Sequence, residues 1–441
     1  MKKLDKRWKI ILYGCSGLGV NMLNMIVGSY LCSALLIGGF DKHVENWTYL
    51  NRDLVVAALW GTLIFAVKIF DGFIDIPLSN FTDNLRTRWG RRRPAIAIGF
   101  VPMILGYLLF LVPINNEASL ANTIWFAAVL GLFYCAYTLT MLTYYATFAE
   151  LIDNDRDRVL LSNTKSICDV VYYSLSFALV PVFVSMGMNI RIVALIFLPL
   201  ALTMMIPLFL IKENSTREKD GFVPEKTVRV NFIQSFIYSF KNRDFIVWLC
   251  ILAVMNVGLQ LFLSGINEFF STTGLDMTFI MASAFAPIPF TLMLYNHFIK
   301  KRGMKFAYQY ALLIFSAGML MMFACPYLPQ KLMLPYAMLC GVITSFGIGS
   351  FFSVIYIIPA QLASDENARS GICASSMYFA VQGIFEAVAA GFASGILLVF
   401  LKQNGLIKFT TGIVALMCMI AFVMAFFMPK SIATIGKERE K

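Results

Sequence analysis

Charge is what this sequence has least of. Asp, Glu, Lys and Arg make up 14% of its 441 residues, where a soluble globular chain carries about a quarter. Histidine occurs twice, at His43 and His297, far apart and with no Cys or His neighbour to complete a metal site. The nine cysteines lie in or beside apolar runs without metal-ligand spacing. Ordinary packing is expected of them, and a disulfide framework is not. No Gly-rich phosphate loop and no Ser/His/Asp setting for a nucleophile is visible. These scarcities point away from an enzyme, from a resident cofactor or metal, and from transport driven by ATP hydrolysis within this chain.

What remains is strongly apolar. Hydrophobic residues are 59% of the chain, with 40 Phe and 24 Met. That composition reads as an all-α membrane protein whose surround is the lipid bilayer. The net charge of +11 would suit nucleic acid, but the basic residues sit in short loops between apolar runs. Topology accounts for them, and no nucleic-acid partner is expected.

A spanning helix needs about 20 mostly apolar residues. Twelve such runs occur, at 10–38, 54–80, 94–114, 123–149, 163–187, 191–211, 244–270, 278–299, 306–324, 333–358, 372–400 and 409–428. The first is too long for a signal peptide and reads as an uncleaved span. An even number of spans puts both termini on one side. Most of the 36 Lys and Arg fall on that side, while Lys42, Arg52, Arg191, Lys331, Lys402 and Lys408 lie on the other. Positive-inside topology makes both termini cytoplasmic in an inner (plasma) membrane. The longest hydrophilic loop divides the chain into a six-helix bundle over 1–211, a cytoplasmic linker over 212–243, and a second six-helix bundle over 244–441 with a short cytoplasmic tail. The linker stretch VNFIQSFIYSF is apolar enough to lie on the membrane surface. Six plus six helices is the layout of the major facilitator superfamily, in which two bundles rock about a midplane site.

Against this apolar background the second span carries Lys68, Asp71 and Asp75. Asp71 and Asp75 stack one turn apart on one helix face, and Lys68 shares it. A buried salt-bridge cluster is one reading. The other is an ion site, and two stacked carboxylates favour it. They cannot both ionise cheaply without a proton, Lys68 or a bound cation, and carboxylate oxygens suit hard cations.

The run K-I-F-D-x-x-x-D-I-P-L from Lys68, followed by D-N-L-R-T-R-W-G-R-R-R-P from Asp83, resembles the glycoside–pentoside–hexuronide:cation symporter family of the major facilitator superfamily. Three further places are similar: Glu150-Leu151 with Asp155 and Arg158, the stretch Phe240–Phe245, and Asp365 with Arg369 and Gly371. The resemblance implies that Asp71 and Asp75 bind the coupling cation, Na⁺ or H⁺, with Thr138 as a further oxygen ligand and Lys68 in support. No other metal is implied. It also marks departures. The family's sugar-gripping aspartates in the first and fourth helices fall on Asn21 and Met141. An asparagine of the cation motif is Ile74, which tilts the expectation slightly toward H⁺. Lys165 falls near a family arginine, and an expected lysine of the eleventh helix is Gln382, with Glu386 one turn on.

Asp169, Asn256 and Gln260 are further intramembrane polar residues and join Asn21, Met141, Lys165, Gln382 and Glu386 as candidate substrate contacts. Interhelical hydrogen bonding is the plainer role for the amides. Trp60, Tyr144 and Tyr145 could stack on a sugar ring, although packing is commoner for aromatics. The arginine loop sets topology and also suits a cytoplasmic gate. There Asp83, Arg88 and Arg92 would pair with Glu150, Asp155 and Arg158, and Asp365 with Arg369 would be the second-half counterpart. The expectation is a monomeric cation symporter for a small molecule, a sugar, glycoside or uronide. The rivals are a carrier of an amphiphilic or lipid-like solute on the same fold, and a membrane sensor that no longer transports.

Overall fold

A computed structural model describes residues 6–40, 43–151, 155–217, 240–275, 277–370 and 375–435. Within these stretches it leaves out some helical side chains. Apolar runs of this length satisfy their backbone groups internally as helices, which the interior of a bilayer demands. Among the described residues, twelve helices are long and apolar enough to cross a membrane. In chain order they are α1 (Arg7–Leu35), α2 (Ala57–Asn84), α3 (Arg92–Phe110), α4 (Leu120–Leu151), α5 (Asp155–Ser185) and α6 (Ile190–Leu210). Then follow α7 (Arg243–Thr273), α8 (Met277–Arg302), α9 (Met304–Tyr327), α10 (Gln330–Ser370), α11 (Val381–Gln403) and α12 (Ile407–Phe427).

The helices are not uniform rods. A turn at Ser16-Gly17 breaks α1, and a π-helical segment follows at Val27–Leu31. Such π-helical turns are frequent at functional sites, and Asn21 lies between the two irregularities. The Thr203 hydroxyl donates to Ser16 O at 2.9 Å, satisfying a carbonyl at the break. Pro287, which has no N–H to give, marks an interruption in α8. Gly19 lets α6 come close to α1, since a Cβ there would stand 1.8 Å from Leu200 O.

The chain forms two compact units. Unit 1 comprises Met1–Ile37, His43–Leu63 and Phe73–Thr227; unit 2 comprises Gly38–Lys42, Ile64–Gly72 and Val228–Lys441. The core of unit 1 is aromatic. Trp60, Tyr107, Phe110, Phe126 and Phe133 are all buried, and Phe110 meets Phe126 edge-on at 5.2 Å. Unit 2 has an equivalent centre in Trp248, Tyr308, Phe315 and Phe351. The surface-helix expectation for VNFIQSFIYSF falls almost wholly outside the described residues, as does most of the linker.

Hydropathy ends the eleventh apolar run at residue 400, short of Lys402. α11 runs on to Gln403, and Lys402 is buried at its end because Glu268 of α7 neutralises it at 3.0 Å.

Candidate functional site

Helix α2 continues unbroken through Lys68, Asp71 and Asp75, so all three fall within two turns of one another. All are half-buried, as is Thr138 on α4, and none of the four is without a partner. Gly72 sits among them for a steric reason. Within unit 2, a Cβ at Gly72 would stand 2.5 Å from Ala387 Cβ, so α2 and α11 touch here almost backbone to backbone. Gly391, one turn on along α11, packs against Lys68. Within unit 2, the Lys68–Gly72 turn of α2 is therefore seated against the same helix that carries Gln382 and Glu386.

Unit 1 gathers a polar cluster from α1, α4 and α5. The Tyr137 hydroxyl donates to Asn21 Oδ1 at 3.0 Å. Asn24, on the next turn of α1, keeps its Oδ1 buried with no hydrogen-bond partner among the described residues. On α5, Lys165 pairs with Asp169 one turn away. The Lys165 ammonium also lies 5.1 Å from the Tyr145 ring centroid, a cation–π distance. Tyr172 and Tyr173 stack beside this pair at 4.5 Å. Asn21, Lys165 and Asp169 thus surround one aromatic patch. Met141 is packed away, with Cε against Gly17, and only 2% exposed. Trp60 and Tyr144 are buried packing residues, tied through Trp60 Nε1 to Cys32 O and through the Tyr144 hydroxyl to Tyr13 O. Tyr145, 38% exposed, is the member of the three that presents a face.

Unit 2 gathers a second polar network from α7, α10 and α11. Gln382 accepts from Trp248 Nε1 at 2.9 Å and donates to Ile355 O at 2.9 Å and to Glu386 Oε1 at 2.8 Å. Asn256 donates to Glu386 O at 3.1 Å. All the hydrogen-bonding capacity of the Gln382 amide but one lone pair is used, which fixes its orientation. Gln260, one turn from Asn256 on α7, is half-buried.

Two features were missed in the sequence. The first is the buried Glu268–Lys402 pair. Lys402 also lies 5.1 Å from the Phe40 ring, while Thr272 donates to Gly39 O at 3.0 Å. The pair therefore anchors the segment that follows α1. Its partners are 134 residues apart, so no local spacing announces them. The second is Glu213, just after α6. Its Oε2 accepts from the backbone N–H of Arg92 at 2.8 Å and of Arg93 at 3.4 Å. A carboxylate there satisfies orphan donors at the start of α3 and complements the helix dipole. Thr216 and Thr87 exchange backbone and hydroxyl hydrogen bonds beside it. The charged K-E-N-S-T run directly after an apolar helix was the available signal.

Of the gate candidates, Arg88 is exposed and Arg92 is buried and not without a partner. The side chains of Asp83, Glu150, Asp155, Arg158, Asp365 and Arg369 lie outside the described residues. Among the described residues no group of three His, Cys, Asp or Glu side chains could hold a metal ion.

A family model described as MFS/sugar transport protein matches residues 12–435. Over 139 residues the chain is 32% identical to a protein of Synechocystis sp. described as an uncharacterized symporter, covering 29% of this chain and 26% of that one. Over 129 residues it is 28% identical to a glucuronide carrier protein homolog of Escherichia coli (strain K12), covering 29% of this chain and 28% of that one. These matches thus span little more than a quarter of either relative's length. Among solved structures, a D-xylose-proton symporter superposes with a TM-score of 0.66 at 15% identity, over 97% of this chain and 98% of the other. The nucleoside transporter NupG gives 0.63 at 15% identity, over 96% and 98%. At such identity the likeness is one of fold. With twelve apolar helices on that fold and a family model matching almost end to end, the chain belongs to the MFS/sugar transport protein family, within the major facilitator superfamily that its α2 motif resembles.

Proposed function

We propose that this protein is a secondary symporter that couples entry of a cation, H⁺ or Na⁺, to uptake of a sugar, glycoside or uronide by alternating access. The observation that carries the reading is the pair of stacked carboxylates, Asp71 and Asp75, on a membrane-spanning helix of a chain in a sugar-transport family. Intramembrane carboxylates are costly and mark a functional site by default, and a stacked pair is stable only when proton, lysine or cation is present. Asp71, Asp75 and Thr138 would hold the cation, with Lys68 as its internal substitute when the site is empty.

Substrate contact is assigned to Asn21, Lys165 and Asp169 in unit 1 and to Asn256, Gln260, Gln382 and Glu386 in unit 2. Met141 would act by shape. The aromatic face of Tyr145 under Lys165 supports a sugar, whose ring stacks on aromatics while its hydroxyls need fixed donors and acceptors. The names of the relatives, a symporter and a glucuronide carrier homolog, point the same way. Both termini and the arginine loop would face the cytoplasm, where Arg88 and Arg92 would work with Asp83, Glu150, Asp155 and Arg158, and Asp365 with Arg369, as a gate. Substrate and cation together would then favour the switching state through their differential affinity.

The test is uptake of labelled glycosides and uronides by proteoliposomes under an imposed H⁺ or Na⁺ gradient. Wild type accumulates at least one of them under one gradient, and Asp75→Asn equilibrates it without accumulation. Undiminished accumulation by Asp75→Asn removes the assigned coupling site. Absence of gradient-driven uptake of every sugar tried leaves a lipid-like solute or a sensor as the reading.

A further inference from the structure

Away from the polar clusters, unit 1 has a groove of about 470 Å³ where the end of α3 meets the start of α6. Because α3 starts at the arginine loop, the groove lies at the opposite end of that helix. Its walls are Leu108 and Val112 on one side and Ile192 and Leu195 on the other. Val112, just past the end of α3, and Ile192, on α6, are each 53% exposed, so the groove opens sideways toward acyl chains.

One end of the groove is polar. Arg191 reaches over the ring of Tyr49, with its guanidinium carbon 5.5 Å from the centroid. Its Nε is buried without a hydrogen-bond partner, and Arg191 makes no ion pair among the described residues. The surroundings are held rigidly. The Tyr49 hydroxyl donates to Phe110 O at 2.9 Å, and Asn189 donates to Glu45 O at 2.9 Å and Thr48 O at 2.8 Å. Burial pushes the Tyr49 hydroxyl well above the usual phenol range, so it stays a neutral donor and offers Arg191 no negative charge.

A guanidinium with no acidic partner at the edge of the hydrocarbon region is costly unless an anion meets it. Its planar fork suits phosphate oxygens. We propose that this groove is a phospholipid site, with the phosphodiester of an anionic phospholipid at Arg191 and one acyl chain lying along Leu108, Val112, Ile192 and Leu195. The geometry selects a lipid over a free phosphate because an apolar channel continues directly from the cation. It selects an anionic head because a zwitterionic one brings its own cation to a place that already has one.

The experiment is native mass spectrometry of the full chain, delipidated in detergent and titrated with phosphatidylglycerol or phosphatidylcholine. Wild type retains phosphatidylglycerol about tenfold better than phosphatidylcholine, the scale of one charge-assisted contact. Arg191→Gln brings the two to parity, and Arg191→Lys keeps part of the preference. Leu195→Trp, which fills the apolar channel, lowers retention of both lipids. Glycerol 3-phosphate at equal concentration does not displace the lipid. Wild-type selectivity in Arg191→Gln overturns the site, and so does displacement by glycerol 3-phosphate. Should Arg191→Gln fail to fold, undiminished retention by Leu195→Trp overturns it independently. None of these readouts depends on transport.

Discussion

Two ion pairs in this molecule use the same chemistry to different ends. Lys165 and Asp169 sit one turn apart on α5, with side chains 20% and 29% exposed and the Tyr145 ring alongside. Glu268 and Lys402 come from α7 and α11, 3.0 Å apart, with side chains 0% and 3% exposed. The first pair is reachable and has neighbours with which it could exchange partners. The second is closed in, and losing one member strands a charge where no solvent can reach. A reachable pair can take part in binding, whereas a sealed pair serves mainly to hold the helices and the Gly38–Phe40 segment packed on it.

Breaking the sealed pair should therefore have the largest effect. Glu268→Gln or Lys402→Met alone is expected to destabilise the protein by about 3–5 kcal/mol, because an uncompensated charge or an unmatched polar group stays buried. The double variant Glu268→Leu/Lys402→Met should recover most of that loss. Thermal unfolding in detergent measures both. Equal damage from single and double variants would show that the two charges do not depend on each other.

The reachable pair should show the reverse pattern. Lys165→Ala is expected to change stability by no more than about 1 kcal/mol, as for partly exposed pairs. Its uptake of the transported sugar should nevertheless fall about tenfold or more, the weight of a charge-assisted contact. A large loss of stability with unchanged uptake would move Lys165 into the class of Lys402. Smaller still is the effect of a neutral link. Tyr137→Phe removes the hydrogen bond to Asn21 and should cost about 0.6 kcal/mol, the average for such bonds between membrane helices. Unfolding and KM for uptake read it together, and a substrate contact at Asn21 appears as a KM change beyond that small loss.

These contrasts also mark what could be read in advance. The i,i+4 spacing of Lys165 and Asp169 put them together on any helix, as did that of Asp71 and Asp75. The α2 motif was legible because its chemistry is local: two acids in an apolar run, followed by a basic turn. Glu268 and Lys402 were not legible, since each looks like an ordinary charge near the end of an apolar run. Glu213 was hidden in the same way, its role resting on the return of the chain to the start of α3. Trp60, Tyr144 and Tyr145 were indistinguishable as letters, and only burial separated two packing residues from one with a free face.

Apolar runs of spanning length, spaced by short basic loops, were sufficient to determine an all-α membrane protein with twelve crossings. The reason is that a backbone in hydrocarbon has no partner except itself, so length and hydropathy decide helix formation before any packing does. Which polar residues of different helices meet was decided by the tertiary structure alone. Hydrogen bonds and ion pairs act over about 3 Å. At that range the meeting of Asn21 with Tyr137, of Gln382 with Trp248, and of Glu268 with Lys402 depends on how helices distant in the chain pack, and no spacing along the chain contains it.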